Sequence, residues 1–156
     1  MIDLSYIRPA VPVEAIKAEL TPERFVRHTS KLENEIYIVN VHNSPETLQE
    51  VGRLRELTFA SADGGTGKPV DLDNLDLSDN PYQQLIVWNP KEEEIVGGYR
   101  FIDGATIAGG KGDPQQDLSM GHYFQFSKQF IEEYLPYSIE LGRSWVQPKY
   151  QPAVDP

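Results

Sequence analysis

The strongest constraint on the fold is a β-strand pattern followed at once by a long helix pattern. Ser44 and Pro45 mark the helix start, because a serine hydroxyl can accept a free backbone N–H and proline fits the first helical turn. Apolar side chains then recur three and four residues apart until the glycines at residues 64–65 end the pattern. The preceding strand, residues 35–41, is rich in β-branched and aromatic side chains: Ile36, Tyr37, Ile38, Val39 and Val41. This alternation predicts an α/β protein.

Three further segments extend the pattern. Residues 84–88 and 94–101 are apolar and β-rich and flank a turn of Asn, Pro, Lys and Glu, so we predict a hairpin. A short helix is predicted over residues 127–134, and a last strand over residues 138–146. From residue 35 onwards the predicted order is strand, helix, strand, strand, helix, strand.

Residues 1–34 are predicted to form a helical N-terminal arm. Apolar residues spaced three and four apart predict a first short helix within residues 12–20. Thr21 followed by a proline resembles a helix start, so we predict a second helix that runs through Phe25 and Val26.

Composition narrows the classes of function. The chain has 156 residues, a net charge of −10 and no cysteine, and its length suits one domain with its own core. Without cysteine, neither a disulfide scaffold nor a thiolate metal site can form, and the three scattered histidines lack ligand spacing, so no metal site is predicted. An acidic chain is poorly suited to the phosphate backbone, so nucleic acid is not an expected partner. No apolar run approaches the ~20 residues that cross a bilayer, so we expect a soluble cytoplasmic protein.

A long polar loop carries four carboxylates within residues 71–79. It lacks the glycine and the glutamate that an EF-hand calcium loop requires at its sixth and twelfth positions. Asp71 and Asp79 are predicted to lie in a solvated turn, because aspartate favours turns through local hydrogen bonds. The loop as a whole could present negative charge to an amine.

Arg143 lies within an apolar strand pattern, where an arginine is costly unless an acidic group pairs with it. A structural ion pair with Glu140, Asp73 or Asp76 is therefore one interpretation, favoured by composition alone, and a catalytic role is the other. Residues three apart on a regular strand point to opposite faces, so Glu140 and Arg143 would be separated. A bulge at Gly142 would re-aim one of them, and we predict such a bulge.

Four fragments occur in order along roughly residues 54–150: Arg55-x-x-x-Phe59, Asp73-Asn74-Leu75-Asp76, Ile95-Val96-Gly97-Gly98-Tyr99-Arg100 and Ile139-Glu140-Leu141-Gly142-Arg143-Ser144-Trp145-Val146. Together they resemble the acyl-chain-transferring branch of the GNAT superfamily. That branch includes the ornithine-lipid and glycine-lipid N-acyltransferases, often labelled haemolysins, and the acyl-homoserine-lactone synthases.

The resemblance implies an N-acyltransferase fold, a mixed sheet flanked by helices. It also implies transfer of a fatty acyl group from an acyl carrier protein or coenzyme A (CoA) thioester to the α-amine of an amino acid in aminolipid synthesis, without a tightly bound cofactor. Glu140 is implied as the catalytic residue, which could take the proton that the amine must lose. The residues implied to bind the substrate are Arg55, Phe59, Asp73, Asp76, Arg100 and Arg143.

In the superfamily, a glycine-containing turn and a helix that bind the donor follow the strand of Glu140. We therefore expect residues 35–156 to be the N-terminal half of the domain, inactive alone and prone to self-association through an unpaired strand edge. Acyl carrier proteins are acidic like this chain, so either the other half supplies a basic surface or the donor is CoA. Peripheral contact with the membrane would also involve that half.

Two other functions stay open at this stage. The chain could belong to a synthase of acylated signalling molecules of the acyl-homoserine-lactone type. It could also be a noncatalytic binding or regulatory domain that keeps its Arg–Asp pairs for structure. Pore formation is not expected, because no membrane-inserting segment is present in the sequence.

Overall fold

A computed structural model describes residues 3–152 of the chain. Five strands form one sheet in sequence order, and each neighbouring pair is antiparallel. The strands are β1 (Phe25–His28), β2 (Glu35–Val39), β3 (Gln83–Asn89), β4 (Glu94–Asp103) and β5 (Ile139–Val146). The α-helices are α1 (Val13–Glu19), α2 (Pro45–Ala60), α3 (Asn74–Leu77) and α4 (Pro114–Asp117). Shorter turns are the 3₁₀ segments Gly104–Thr106, Ser119–His122, Leu135–Tyr137 and Pro148–Tyr150 and the π-helix Phe130–Tyr134.

The predicted elements after residue 35 occur in the predicted order, and the structure adds the four-residue helices α3 and α4 in segments predicted as loops. The predicted hairpin corresponds to β3 and β4, and the predicted last strand corresponds to β5. The short helix predicted over residues 127–134 contains the π-helix Phe130–Tyr134. The predicted α/β class is therefore confirmed. Among residues 3–152, none of the helices has the length and apolar character needed to span a bilayer.

One face of the sheet is buried under α2. Burial alternates along β3, where Ile86 and Trp88 point inward, as expected for a strand with a single covered face. These side chains pack with Val51 and Leu54 of α2, and Ile16 of α1 completes the cluster. Helix α2 is thus fixed over the centre of the sheet.

A second apolar cluster lies at the C-terminal end of β4. It joins Tyr82 and Ile102 to Leu118 and Leu135, which come from the connection between β4 and β5. Each of these side chains is at most 3% exposed. Because the connection is anchored at these points, it holds the Ser119–His122 turn against the sheet.

The second helix predicted in the arm is wrong. Residues 22–24 form a turn, and Phe25–His28 form the edge strand β1, which pairs with β2. The Phe25 ring meets the Tyr37 ring edge-on, with their centroids 5.6 Å apart. Pairing with β2 and this aromatic contact outweigh the local helix signal, which is a weak preference by itself.

Helix α2 begins where predicted, but its cap comes from another part of the chain. The Ser44 hydroxyl makes no capping bond and is buried without a hydrogen-bond partner. The carboxylate of Glu19, the last residue of α1, accepts from the backbone N–H groups of Glu46 at 3.1 Å and Thr47 at 2.7 Å. A carboxylate is a stronger acceptor than a hydroxyl and also complements the helix dipole. The predicted serine cap is therefore wrong. Glu19 caps α2 instead and connects α1 to the start of α2.

Replacing Glu19 by alanine should lower the free energy of unfolding by about 1 kcal/mol, the usual effect of losing a helix cap. Glu19→Gln should lower it less, because the amide oxygen can still accept one N–H. Denaturant unfolding of the full-length protein measures both. Glu14→Ala is the matched control on the same helix, since the Glu14 side chain is 84% exposed and should matter little. Equal losses at the two positions would contradict the cap.

Candidate active site

Three arginines and three aspartates meet between α2 and the sheet, and we call them the Arg–Asp cluster. The arginines come one each from α2, β4 and β5, while the aspartates come from the loop before α3 and from α3 itself. The members are Arg55, Asp71, Asp73, Asp76, Arg100 and Arg143. The equal numbers of opposite charges allow the cluster to lie in the protein interior, where an unpaired charge is costly.

Asp76 is the centre of the cluster, and its side chain is fully buried. Its carboxylate lies 3.2 Å from Nη1 of Arg55 and 3.0 Å from Nη1 of Arg100. It also accepts a hydrogen bond from the side-chain amide of Gln84 at 2.9 Å and from the backbone N–H of Asp73 at 3.1 Å. Donors from four residues therefore compensate for the burial of this charge.

The other two aspartates connect the cluster to Arg143. Asp71 lies 3.1 Å from Nη2 of Arg55 and 3.4 Å from Nε of Arg143. Asp73 lies 2.8 Å from Nη1 of Arg100 and 3.7 Å from Nη2 of Arg143. The Arg143 and Asp73 side chains are 39% and 35% exposed, so they are the members that reach solvent, whereas Arg55 is fully buried.

Contacts with α2 fix the position of the acidic loop. The backbone N–H of Asp71 donates to the Gly52 carbonyl of α2 at 2.9 Å. A Cβ atom at Gly52 would lie 2.7 Å from Cγ of Leu72, so only glycine lets the loop approach the helix this closely. Asp73 and Asp76 then form a reciprocal capping box at the start of α3.

The predicted solvated turn is wrong for Asp71. Its side chain is 3% exposed, because the ion pair with Arg55 and the bond to Gly52 hold it inside. Asp79 is exposed, as predicted. Across the described residues 3–152, no group of three or more His, Asp or Glu side chains is placed to hold a metal ion.

The predicted bulge in β5 is confirmed. Gly98 and Arg100 of β4 are two residues apart, whereas their partners in β5, Trp145 and Gly142, are three apart. β5 therefore has one extra residue between Gly142 and Trp145. Arg143 lies in this bulge and has a φ of 51°, in the left-handed region that few residues other than glycine adopt. The bulge turns the Arg143 side chain towards the aspartates of the cluster.

Glu140 is held in place by three donors. The Tyr82 hydroxyl and the backbone N–H of Ser119, at 2.9 Å, donate to Oε2, and the N–H of Met120 donates to Oε1 at 2.8 Å. A carboxylate offers about four lone-pair positions, so Oε1 can accept one more hydrogen bond. Burial and the hydrogen bond to Glu140 raise the pKa of Tyr82 well above its ordinary value, so the phenol remains a donor.

Two cavities have residues of the Ser119–His122 turn in their linings. The polar cavity, about 270 Å³, is lined by Asp73, Leu75, Arg100, Ser119, His122, Tyr123 and Arg143. The apolar cavity, about 260 Å³, is lined by Gly104, Leu118, Met120, Phe126, Phe130, Leu135, Ser138, Ile139 and Glu140. The turn contributes Ser119 and His122 to the first and Met120 to the second, so it borders both cavities. Glu140 accepts hydrogen bonds from the N–H groups of Ser119 and Met120 in this turn and lines the apolar cavity.

The charges in the cluster reinforce one another. Burial alone would raise the pKa of Asp73, but the hydrogen bond and charge of Arg100 lower it below its ordinary value of 3.8. Burial alone would lower the pKa of Arg100, but Asp73 and Asp76 raise it. The Arg100 guanidinium also lies 4.8 Å from the centre of the Tyr82 ring, a favourable cation–π distance. Both Asp73 and Arg100 are therefore charged at neutral pH.

Most of the residues predicted for the site lie together. Glu140 and the five predicted charged residues of the substrate site lie in the cluster or at the cavities, while Phe59 packs against the first apolar core and lines neither cavity. Tyr82, Gln84 and Ser119 were not predicted. Tyr82 and Gln84 leave only a faint signal, polar groups at alternating positions of an apolar strand pattern, and Ser119 leaves none, because its backbone N–H makes the contact.

Residues 54–154 match the family described as "Acetyltransferase (GNAT) domain". This range covers about two thirds of the chain and holds every residue predicted for the site. The chain belongs to the GNAT acetyltransferase family. The Arg–Asp cluster, Glu140 and both cavities are thus features of a GNAT domain.

This GNAT chain is similar to two curated relatives, each named "Glycine N(alpha)-acyltransferase". It is 49% identical to the protein from Phocaeicola vulgatus over 139 residues, which is 88% of the chain. It is 50% identical to the protein from Bacteroides thetaiotaomicron over 146 residues, which is 93% of the chain. The aligned part is 42% of the length of each relative. No solved structure matches the chain.

The lowered pKa of Asp73 predicts a specific loss of stability in acid. Because the folded-state pKa lies below the ordinary value of 3.8, the Asp73 carboxylate stabilises the fold above that pH, and the contribution is lost as the pH falls through the folded-state pKa. Asp73→Asn removes this titration, so its unfolding free energy should fall less steeply in acid than that of the wild type. Denaturant unfolding between neutral pH and about pH 3 measures the difference. Parallel curves for the two proteins would contradict the prediction, and Asp79→Asn is the exposed control.

Proposed function

We propose that this chain forms the acceptor side of an N-acyltransferase that transfers a fatty acyl group to the α-amine of glycine. The observation that carries the proposal is the joint exposure of Asp73 and Arg143 in the polar cavity. A cavity with one exposed carboxylate and one exposed guanidinium is complementary to a small zwitterion. Two relatives that are about half identical and are named "Glycine N(alpha)-acyltransferase" support glycine as that zwitterion.

The two exposed groups have separate roles in this proposal. Arg143 binds the glycine carboxylate, because a guanidinium can donate two parallel hydrogen bonds to a carboxylate. Asp73 binds the ammonium group. Arg55, Asp76 and Arg100 are buried and act as positioning residues, since they fix the aspartates and Arg143 through the cluster.

The reaction forms an amide bond at the expense of a thioester. The glycine ammonium first loses a proton, because only the neutral amine has a lone pair for attack. The nitrogen then attacks the thioester carbonyl carbon, a C–N bond forms, and the C–S bond breaks. The nitrogen gives up a second proton as the amide forms, and the departing thiolate takes up a proton. The products are the N-acylated amino acid, a thiol and one proton released to solvent. Glu140 accepts the amine proton through Oε1, directly or through a water molecule.

The donor and the cellular setting are part of the proposal. A CoA or acyl carrier protein thioester is the donor, without a tightly bound cofactor, and the product is an aminolipid or its precursor.

The predicted cytoplasmic location, peripheral membrane contact and self-association stay predictions. In the described residues, β5 pairs only with β4, so its second edge is available for association with another chain. The signal-synthase alternative and the noncatalytic alternative are distinguished by the assays below.

The complete enzyme, in which this acceptor side is joined to a donor-binding half, should release N-acylglycine from glycine and long-chain acyl donors, as detected by mass spectrometry. Arg143→Ala should raise the KM for glycine roughly tenfold or more with a smaller change in kcat, because a charge-assisted contact to the carboxylate is lost. Arg27→Ala, at an exposed position on β1, is the matched control and should leave the KM unchanged. No product with any acyl donor would contradict the proposed function, and an unchanged KM for Arg143→Ala would contradict the role of Arg143.

Glu140→Gln should lower kcat/KM at neutral pH roughly 100-fold or more, the usual contribution of a general base. The loss should shrink as the pH rises, because free amine then forms without help from the enzyme. This pH dependence separates proton transfer from a merely structural role, since glutamine also disturbs the hydrogen bonds to Ser119 and Met120. Tyr82→Phe is the comparison, because it removes one donor and leaves the carboxylate in place. A loss that is the same at every pH would remove Glu140 from the proton transfer.

A further inference from the structure

The apolar cavity adjoins the proposed acceptor site but has no part in binding the amino acid. We propose that it holds the hydrocarbon chain of the acyl donor, so that lining residues on the connection between β4 and β5 set the acyl chain length. This inference rests on the proposed function and adds a location for the second substrate.

The lining of the cavity suits a hydrocarbon. Six apolar side chains form most of it: Leu118, Met120, Phe126, Phe130, Leu135 and Ile139. The Phe126 and Phe130 rings are stacked with centroids 5.1 Å apart and offer a flat apolar wall. Methionine adapts its shape to apolar ligands of different length, because its side chain is unbranched and flexible. Burial of apolar surface is the main source of affinity in such a cavity.

Charged ligands fit the cavity poorly. Its charged lining residue is Glu140, whose carboxylate would repel anions. Three of the four lone-pair positions of Glu140 are already used by Tyr82, Ser119 and Met120, so little capacity remains to bind a cation. The occupant should therefore be neutral and apolar, as an acyl chain is.

The position of the cavity brings the two reacting groups together. Glu140 lines the apolar cavity and binds the Ser119–His122 turn, which also borders the polar cavity through Ser119 and His122. A donor whose chain fills the apolar cavity would carry its carbonyl carbon beside Glu140. Glycine held by Asp73 and Arg143 approaches the same turn from the polar side. In this proposal the amine and the carbonyl carbon approach each other past the turn that both cavities share, beside Glu140.

The cavity is open, and its mouth is apolar. Ile139 and Met120 line it and are 62% and 43% exposed. Tyr134 precedes the lining residue Leu135, Tyr137 precedes the lining residue Ser138, and the two tyrosines are 56% and 90% exposed. Exposed apolar side chains in and beside the lining of a cavity are typical of a ligand site.

A direct binding experiment tests the proposal without catalysis. The probe is the methyl ester of dansylated undecanoic acid, which is neutral, and its fluorescence is titrated against the full-length protein. Ile139→Trp should fill the mouth and weaken binding roughly tenfold or more, because small changes in apolar pockets have effects of this size. Val146→Trp is the matched control, since Val146 is 43% exposed on the same strand and does not line the cavity. Equal affinities of the two variants would overturn the proposal.

Chain-length preference gives a second readout. Phe130→Ala should enlarge the cavity and shift the preference in kcat/KM towards longer acyl donors, while Ile139→Trp should shift it towards shorter ones. The KM for glycine should stay within about twofold in both, since neither residue lines the polar cavity. Circular dichroism and thermal unfolding establish that each variant folds. If one variant does not fold, the other alone is sufficient for the test.

The outcomes separate this inference from the proposed function. Binding of the probe that Ile139→Trp weakens, without any acylation of glycine, would support the apolar site and refute the proposed function. Acylation of glycine with an unchanged chain-length preference in Phe130→Ala and Ile139→Trp would support the proposed function and overturn the inference. A shift of the preference in opposite directions would support both.

Discussion

The structure around the site depends on the buried carboxylate of Asp76. It joins Arg55 of α2 to Arg100 of β4, and thereby ties a helix to the sheet through charges instead of apolar contacts. Loss of one partner of such a buried pair usually costs about 3–5 kcal/mol, because an uncompensated charge remains inside. Such a site tolerates little variation, since every member depends on the others. The buried charges fix the geometry of the site, because planar guanidinium groups determine the directions of the carboxylates that they bind.

The bulge in β5 extends this buried network to solvent. A regular strand would direct Glu140 and Arg143 to opposite faces, and the left-handed conformation of Arg143 brings its guanidinium to the aspartates instead. An unfavourable backbone conformation of this kind costs about 1–3 kcal/mol and persists where its surroundings hold it. The ion pairs with Asp71 and Asp73 provide that support. As a result, Arg143 is partly exposed at the polar cavity while Glu140 remains anchored near the apolar one.

Sequence reasoning found the elements with strong local patterns and missed contacts made at a distance. The helix α2, the hairpin and β5 have clear periodicity, and the bulge at Gly142 was predicted because Glu140 and Arg143 would otherwise point to opposite faces of β5. Strand β1 was missed because its pairing with β2 decides its structure, and the Glu19 cap was missed because its partners lie 27 and 28 residues away. Asp71 was assigned to solvent because no pattern in the sequence reveals that Arg55 reaches it. The charged residues of the site came from a family resemblance, and only the coordinates separate the buried members from the exposed pair.

The close approach of Leu72 to Gly52 has a consequence for how this domain can diverge. A Cβ at position 52 would push Leu72 outward, and Asp71, the preceding residue, would move away from Arg55. The absence of a side chain at Gly52 is thus needed for the ion pair between Asp71 and Arg55. Homologous chains with alanine at this position should carry a smaller residue opposite it, so the two positions should covary.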